Sequence, residues 1–185
     1  MPKTSAEIGG MGHSVKRKED PRFLRGKGHY VDDIVLPDML YLDIVRSPFA
    51  HARIKNIDTS KALAIPGVLA VITGKDLAAY NLHWMPTLMS DTQMVLPVEK
   101  VMYQAQEVAA VLATDRYTAA DGVDAVEVDY DPLPVVVDPF KALEADAPVL
   151  RTDKEGKKDN HIWHWEWGDR AATDKAFEEA EVKVS

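Results

Sequence analysis

Cysteine is absent from all 185 residues. That excludes disulfides, thiolate zinc sites, iron–sulfur ligation and cysteine nucleophiles from this stretch of chain, and it fits a reducing compartment. No run approaches the roughly 18 apolar residues needed to cross a bilayer. The opening "MPKTSAEIGGMGHSVKRKED" lacks the apolar core of a secretory signal, so the expected address is cytoplasmic. Positive charge is in deficit: 22 Lys and Arg against 30 Asp and Glu give a net charge of −8. A general nucleic-acid binder needs a basic face to displace counterions from phosphates, so no nucleic-acid partner is expected. One basic patch does occur, "HSVKRKEDPRFLRGK", but Glu19 and Asp20 inside it make it read as a solvated arm. What remains, 46% hydrophobic and 28% charged residues, is ordinary for a folded protein and long enough for one generous domain, or a domain with an extended arm.

Catalytic signatures are scarce as well. In "DPRFLRGKGHYVDDI" the Arg25–Gly28 stretch invites a phosphate reading. A phosphate loop needs G-x-x-x-x-G-K-[ST] between a strand and a helix, so that amides converge on the anion. Here Lys27 precedes Gly28, and Pro37 with strand-like alternation follows, so an ordinary turn is the better reading. No G-x-S-x-G is present. His161 and His164 have a metal-like spacing, but Trp163, Trp165 and Trp167 recur at period two. That period predicts a strand, which sends the two histidines to opposite faces and groups His164 with Glu166. Asp129 and Asp131 share a strand face beside Pro132, and a solvated turn explains them. His51 reads as a hydrogen-bonded strand histidine. A small independent hydrolase would have to use His51 or His164, and these residues assemble no catalytic machine.

Periodicity then lays out the chain. Residues 1–20 are polar and Gly-rich, and read as a flexible leader. "MLYLDIV" alternates Leu40, Leu42 and Ile44 against Tyr41 and Asp43, a half-buried strand. "HARIKNID" places Ala52 and Ile54 inward, with His51, Arg53 and Lys55 outward. A short helix follows, capped by Asp58 or Thr59 and stopped at Pro66-Gly67. "VLAVIT" is continuously apolar and reads as a central strand. Residues 78–97 form a long ordered loop, a kind that is usually functional or partner-facing. A second strand–helix–strand unit then runs through "EVAAVLAT", a helix with Ala119, Val123 and Val126 inward, and "VEVDY". An edge strand at "VVV", a short helix near Pro139 and the charged linker "RTDKEGKKDN" come next. After the tryptophan strand, a helix capped by Asp169 carries Thr173, Ala176, Phe177 and Ala180 on one face. "EVKVS" begins a further strand whose partner and continuation are expected in polypeptide beyond it. The fold class is α+β.

Taken together, "EDPRFLRGKGHYVDDIVLPDMLYLDIVRSPFAHARIKNIDTSKALAIPGVLAVITGKDL" and "VMYQAQEVAAVLATDRYTAADGVDAVEVDYDPLPVVVDPFKAL" resemble the start of the large, molybdenum-binding subunit of the xanthine dehydrogenase and aldehyde oxidase family. The resemblance runs unbroken over residues 16–150. It implies an α/β hammerhead domain at 21–150, preceded by the 1–20 leader and followed at 151–185 by a linker and the start of the molybdopterin-binding domain. "NLHWMPTL" and "DNHIWHWEWGD" look most like the aerobic carbon monoxide dehydrogenase branch.

On that resemblance Arg25–Gly28 is the turn leading into the first hammerhead strand. It implies no catalytic, cofactor-binding or metal residue in this chain. Molybdopterin cytosine dinucleotide, with copper in the carbon monoxide enzymes, belongs to the rest of the large subunit. The [2Fe-2S] clusters and FAD belong to partner subunits, in a dimer of heterotrimers. The role implied here is structural, packing against the cofactor-binding part and an iron–sulfur subunit. The contact candidates are Gln104, Ala105, Gln106, Glu107, Trp84, Trp163, Trp165 and Trp167. The competing readings are a non-catalytic module that binds a partner protein, and the same domain of an aldehyde- or xanthine-type dehydrogenase.

Overall fold

The computed structural model describes residues 16–85, 92–153 and 155–184, and the chain divides into two compact units, Met1–Met39 and Leu40–Ser185. In the first, Pro21 opens a short helix, α1 (Asp20–Phe23), where its missing N–H is no loss. The chain reverses at Gly26, whose φ of +65° suits glycine. Phe23 and Tyr30 stack 5.2 Å apart, and a 3₁₀ turn covers Val31–Asp33. The Arg25–Gly28 turn therefore leads into this 3₁₀ turn and only later into a strand, contrary to the expectation. The expected leader ends in α1; its residues 1–15 lie outside the described residues.

The second unit runs β1 (Tyr41–Arg46), β2 (Ala52–Asp58), α2 (Ser60–Leu63), β3 (Val68–Thr73), α3 (Gly74–Ala79), β4 (Lys100–Val101), β5 (Glu107–Ala113), α4 (Arg116–Ala125), β6 (Glu127–Pro132) and α5 (Arg170–Glu179), with a 3₁₀ turn at Lys141–Leu143. Two three-stranded sheets result, ordered β1-β5-β3 and β4-β2-β6, with every pairing antiparallel. Both expected strand–helix–strand units exist. Each carries the chain from one sheet to the other, β2–α2–β3 in one direction and β5–α4–β6 in the other.

The main core lies between one face of the first sheet and α2 and α4, built from Val45, Ala62, Val68, Val111, Ala113 and Ala119. A second cluster, Ala52, Val101 and Val108, joins the sheets. Val101, Val108 and Val111 are fully buried, each worth about 1.5–3 kcal/mol against exposure. Helix α4 starts where Asp115 accepts the Tyr117 and Thr118 amides at 2.9 and 3.0 Å, an N-cap that satisfies donors the helix itself cannot. Gly122 lets α4 lie close on the sheet: a Cβ there would meet Val111 Cγ1 at 2.7 Å.

Several expectations are overturned. In β1 the core face is Tyr41 and Val45, while Leu42 is 57% exposed; the register opposite β5 places Leu42 against Leu112, away from α4. Strand β3 is an edge and β5 is central, because a continuous apolar run reports burial, not position in the sheet. His51, expected outward, is buried where the chain enters β2. The loop read over 78–97 begins in the last turn of α3, whose N-terminus Asp76 caps through Thr73, and is followed by β4; its residues 86–91 lie outside the described residues. "VVV" forms no strand, and Val135 and Val137 are exposed; with Pro132 and Pro134 beside it, it lacks amides a ladder needs. The tryptophan segment 161–167 belongs to no strand, and 181–184 forms none either. At the end of the expected charged linker, Asn160 donates to the Ala142 and Pro148 carbonyls at 3.1 and 2.9 Å and accepts the Leu150 amide at 2.8 Å.

Candidate functional site

Three features of the second unit concentrate polar or aromatic groups. The first is the turn before β5. Ala105 adopts φ +65°, uncommon for a residue with a Cβ, and its neighbours hold it there. Its amide donates to Ser47 O at 2.8 Å, and Ser47 N donates to Gln106 O at 2.9 Å. Arg46 Nη1 donates to Ala105 O at 2.9 Å and to Glu107 Oε1 at 2.5 Å. Gln106 is buried, its Oε1 accepting Met102 N at 2.6 Å, so that side chain is committed internally. Gln104 and Ala105 form the exposed tip. Glu107 is held below the usual carboxylate range by its own backbone amide and then by Arg46. The Tyr103 phenol is pushed up by burial and by Glu107.

The second is a cavity of about 420 Å³ whose lining includes His83, Met94, Pro97, Lys100, Met102 and Asp153. His51 stands behind it. Its Nδ1 lies 2.6 Å from Pro134 O, which makes it the donor there and leaves Nε2 as an acceptor. Lys100 Nζ lies 3.4 Å from that Nε2. Burial pulls the Lys100 ammonium below its usual range, Asp153 opposing. Arg151, only 7% exposed, grips Asp153 with two prongs (Nε–Oδ1 and Nη2–Oδ2, both 2.9 Å) and donates to Thr92 O at 2.6 Å. The hairpin-like crossing at Trp84 and Met94 carries His83 and leaves Trp84 half-buried; Met85 N donates to Gln93 O at 2.7 Å and Val95 N to His83 O at 2.8 Å.

The third is the tryptophan row. Trp163, Trp165 and Trp167 are 50%, 63% and 87% exposed, with ring centroids 6.4 and 6.0 Å apart in sequence order. The intervening His164 and Glu166 pair with each other at 3.0 Å.

The remaining candidates do not assemble a reaction centre. The Gly26 and Lys27 amides donate to Phe23 O and Arg22 O, both at 3.0 Å, so they are not turned to a phosphate. Asp129 and Asp131 are exposed opposite Asn56 and Arg53 of β2. His51 faces a carbonyl and an ammonium, a packing and orienting role rather than a general base beside a nucleophile. Among the described residues no three His, Asp or Glu converge as a metal site. Sequence reasoning missed Lys100, His83 and Arg151. The one local hint was a lysine set in apolar "LPVEKVM".

The comparisons bear on this geometry. The family described as "Aldehyde oxidase and xanthine dehydrogenase, a/b hammerhead domain" matches residues 25–134. The chain is 58% identical to the carbon monoxide dehydrogenase large chain of Afipia carboxidovorans, covering 97% of this chain and 24% of that one. It is 56% identical to the corresponding chain of Hydrogenophaga pseudoflava, covering 96% and 23%. Among solved structures, the crystal structure of a Cu,Mo-CO dehydrogenase in its carbon monoxide reduced state matches with a TM-score of 0.76 at 58% identity, covering 92% of this chain and 23% of that one. The chain thus spans about a quarter of the length of these relatives. No helix of the described residues is long and apolar enough to cross a membrane.

Proposed function

Because the chain belongs to the aldehyde oxidase and xanthine dehydrogenase family, as its α/β hammerhead domain, we propose that it is the supporting N-terminal part of the large subunit of a carbon monoxide dehydrogenase. The whole assembly would catalyse CO + H2O → CO2 + 2H⁺ + 2e⁻. The observation that carries this reading is the 58% identity maintained over 97% of the chain. Molybdopterin cytosine dinucleotide and copper would lie in the rest of the large subunit, [2Fe-2S] clusters and FAD in two partner subunits, and two such heterotrimers would pair in the cytoplasm. On this reading residues 21–150 are the hammerhead body and 151–185 lead into the cofactor-binding part. The exposed Gln104–Ala105 tip, Glu107, the outer edge of Trp84 and the Trp163–Trp165–Trp167 row are the contact surfaces, and Gln106 acts only by holding the tip.

The test is the purified assembly: molybdenum co-purifying in stoichiometric amount and CO-dependent reduction of an artificial electron acceptor, with no turnover by the 185-residue chain alone. Oxidation of aldehydes or nitrogen heterocycles in place of CO would move the chain to another branch of the family. An assembly without molybdenum would leave a non-catalytic protein-binding module.

A further inference from the structure

The cavity beside Lys100 is not accounted for by a supporting role. Its volume, about 420 Å³, falls in the range of small-molecule sites, and its wall is mixed in a specific way. Met94, Pro97 and Met102 supply apolar surface. Asp153 is neutralised by the two-pronged Arg151 contact. Lys100 forms no ion pair with any described residue; its hydrogen-bond partner is Nε2 of His51, a side chain 5% exposed and fixed by Pro134 O. A buried imidazole therefore orients a cation that no anion of the described residues contacts. His83 lines the same cavity, and its Nδ1 is buried with no hydrogen-bond partner.

We propose that this cavity seats a monocarboxylate with an apolar body, its carboxylate taking the Lys100 ammonium and its hydrocarbon lying on Met94, Met102 and Pro97. A single negative charge is specified because Glu99 also lines the cavity and would repel a dianion such as phosphate. Burial already disfavours the lysine's charge, and a seated carboxylate reverses that by pairing with it. The carboxylate comes either from a free organic acid or from an acidic side chain of polypeptide docking on this unit. The seat does not depend on the enzymatic reading above.

The probe is sodium hexanoate, titrated into the chain carrying ¹³C-methyl methionine, with 1-hexanol and inorganic phosphate in parallel at matched ionic strength. Hexanoate is expected to shift the Met94 and Met102 methyl signals saturably, and hexanol or phosphate at least ten-fold more weakly. Lys100→Met should weaken the hexanoate response at least ten-fold, whereas Lys75→Met on α3 should leave it unchanged. If Lys100→Met does not fold, reductive methylation of the unaltered chain replaces it: hexanoate should protect Lys100 several-fold relative to Lys75. An unsaturable response, equal effects of hexanol and hexanoate, or no protection of Lys100 overturns the proposal. The same titration on the complete large chain separates the sources. A retained response supports a free acid. A lost response with Lys100 already protected supports a docked side chain.

Discussion

The contact between α4 and the central strand β5 offers a quantitative test, because one methyl group separates fit from collision. A Cβ on Gly122 would lie 2.7 Å from Val111 Cγ1 and 3.2 Å from Val68 Cγ2, both on stiff β-branched side chains in the closed core. Overpacking of this kind costs about 1–3 kcal/mol, offset by about 1 kcal/mol from replacing glycine with alanine inside a helix. Gly122→Ala should therefore destabilise by about 1 kcal/mol. Val111→Ala removes two methyls from a fully buried position, about 0.8 kcal/mol each plus a cavity contribution, or about 2–3 kcal/mol.

The two changes are not independent, since the alanine Cβ at 122 enters the space Val111 vacates. The collision disappears, part of the cavity refills, and the helix-propensity gain remains. The double variant should sit only about 1 kcal/mol below the parent, against about 3–4 if the changes added, a favourable coupling of about 2 kcal/mol. Urea denaturation of the parent, both single variants and the double variant, followed by circular dichroism, measures it. Additivity within about 0.5 kcal/mol would refute the close approach of α4 to β5.

Three further outcomes are expected. Arg151→Met should destabilise by about 3 kcal/mol, because it removes the two-pronged contact to a partly buried Asp153 carboxylate, and hydrogen exchange near 148–153 should speed up in step. Asp76, Asp115 and Glu107 are each held below the ordinary carboxylate range, Asp76 and Asp115 first by hydrogen bonds from Thr73 and Thr118 side chains, Glu107 first by its own amide. Lowered folded pKa values mean the stabilisation is present above about pH 4 and is lost as pH falls through the folded values. Urea midpoints should accordingly drop between pH 5 and pH 3, and by less in Asp76→Asn/Asp115→Asn. Replacing Trp163, Trp165 and Trp167 together by Ser should leave the chain's urea midpoint nearly unchanged, since the rings are exposed, yet lower the yield of the purified assembly. An unchanged yield would remove the row from the contact surface.

Local signals in the sequence carried most of the fold. Asp115 and Asp169 announced their helices as caps, and both side chains accept the expected amides. The inward Ala52 and Ile54 of β2 followed from alternation. Failures came where tertiary contacts decide. "MLYLDIV" alternates equally well in either phase, and only pairing with β5 chose Tyr41 and Val45 for the core. The period-two tryptophans do bring successive rings within 6.4 and 6.0 Å, but a strand needs a neighbour's amides, which spacing within one segment cannot reveal. The cavity was less legible still. Lys100, His83 and Arg151 are separated by up to 68 positions in the chain, and the buried state of Arg151 depends on Asp153 and the Thr92 carbonyl. A guanidinium two residues before an aspartate in "VLRTD" looks like any solvated pair.

The apolar character of β5 and β3 is itself an argument about what the chain is for. Tyr41, Val45, Val68, Val111 and Ala113 meet α2 and α4. The register puts Leu42, Ile44, Ala70, Ile72, Ala110 and Leu112 on the opposite face of the same sheet. A sheet with one solvated face alternates apolar with polar residues, and this one does not. Under the proposed function the rest of the large chain covers that face, which fits relatives about four times as long. The consequence separates isolated from assembled protein. Leu42→Lys, at a position already 57% exposed, should change the stability of the 185-residue chain by no more than about 0.5 kcal/mol. In the complete large chain the same substitution buries a charge without a partner and should lower the unfolding temperature by several degrees. Equal effects in the two settings would mean that the face stays in water throughout, and the apolar pattern would need another cause.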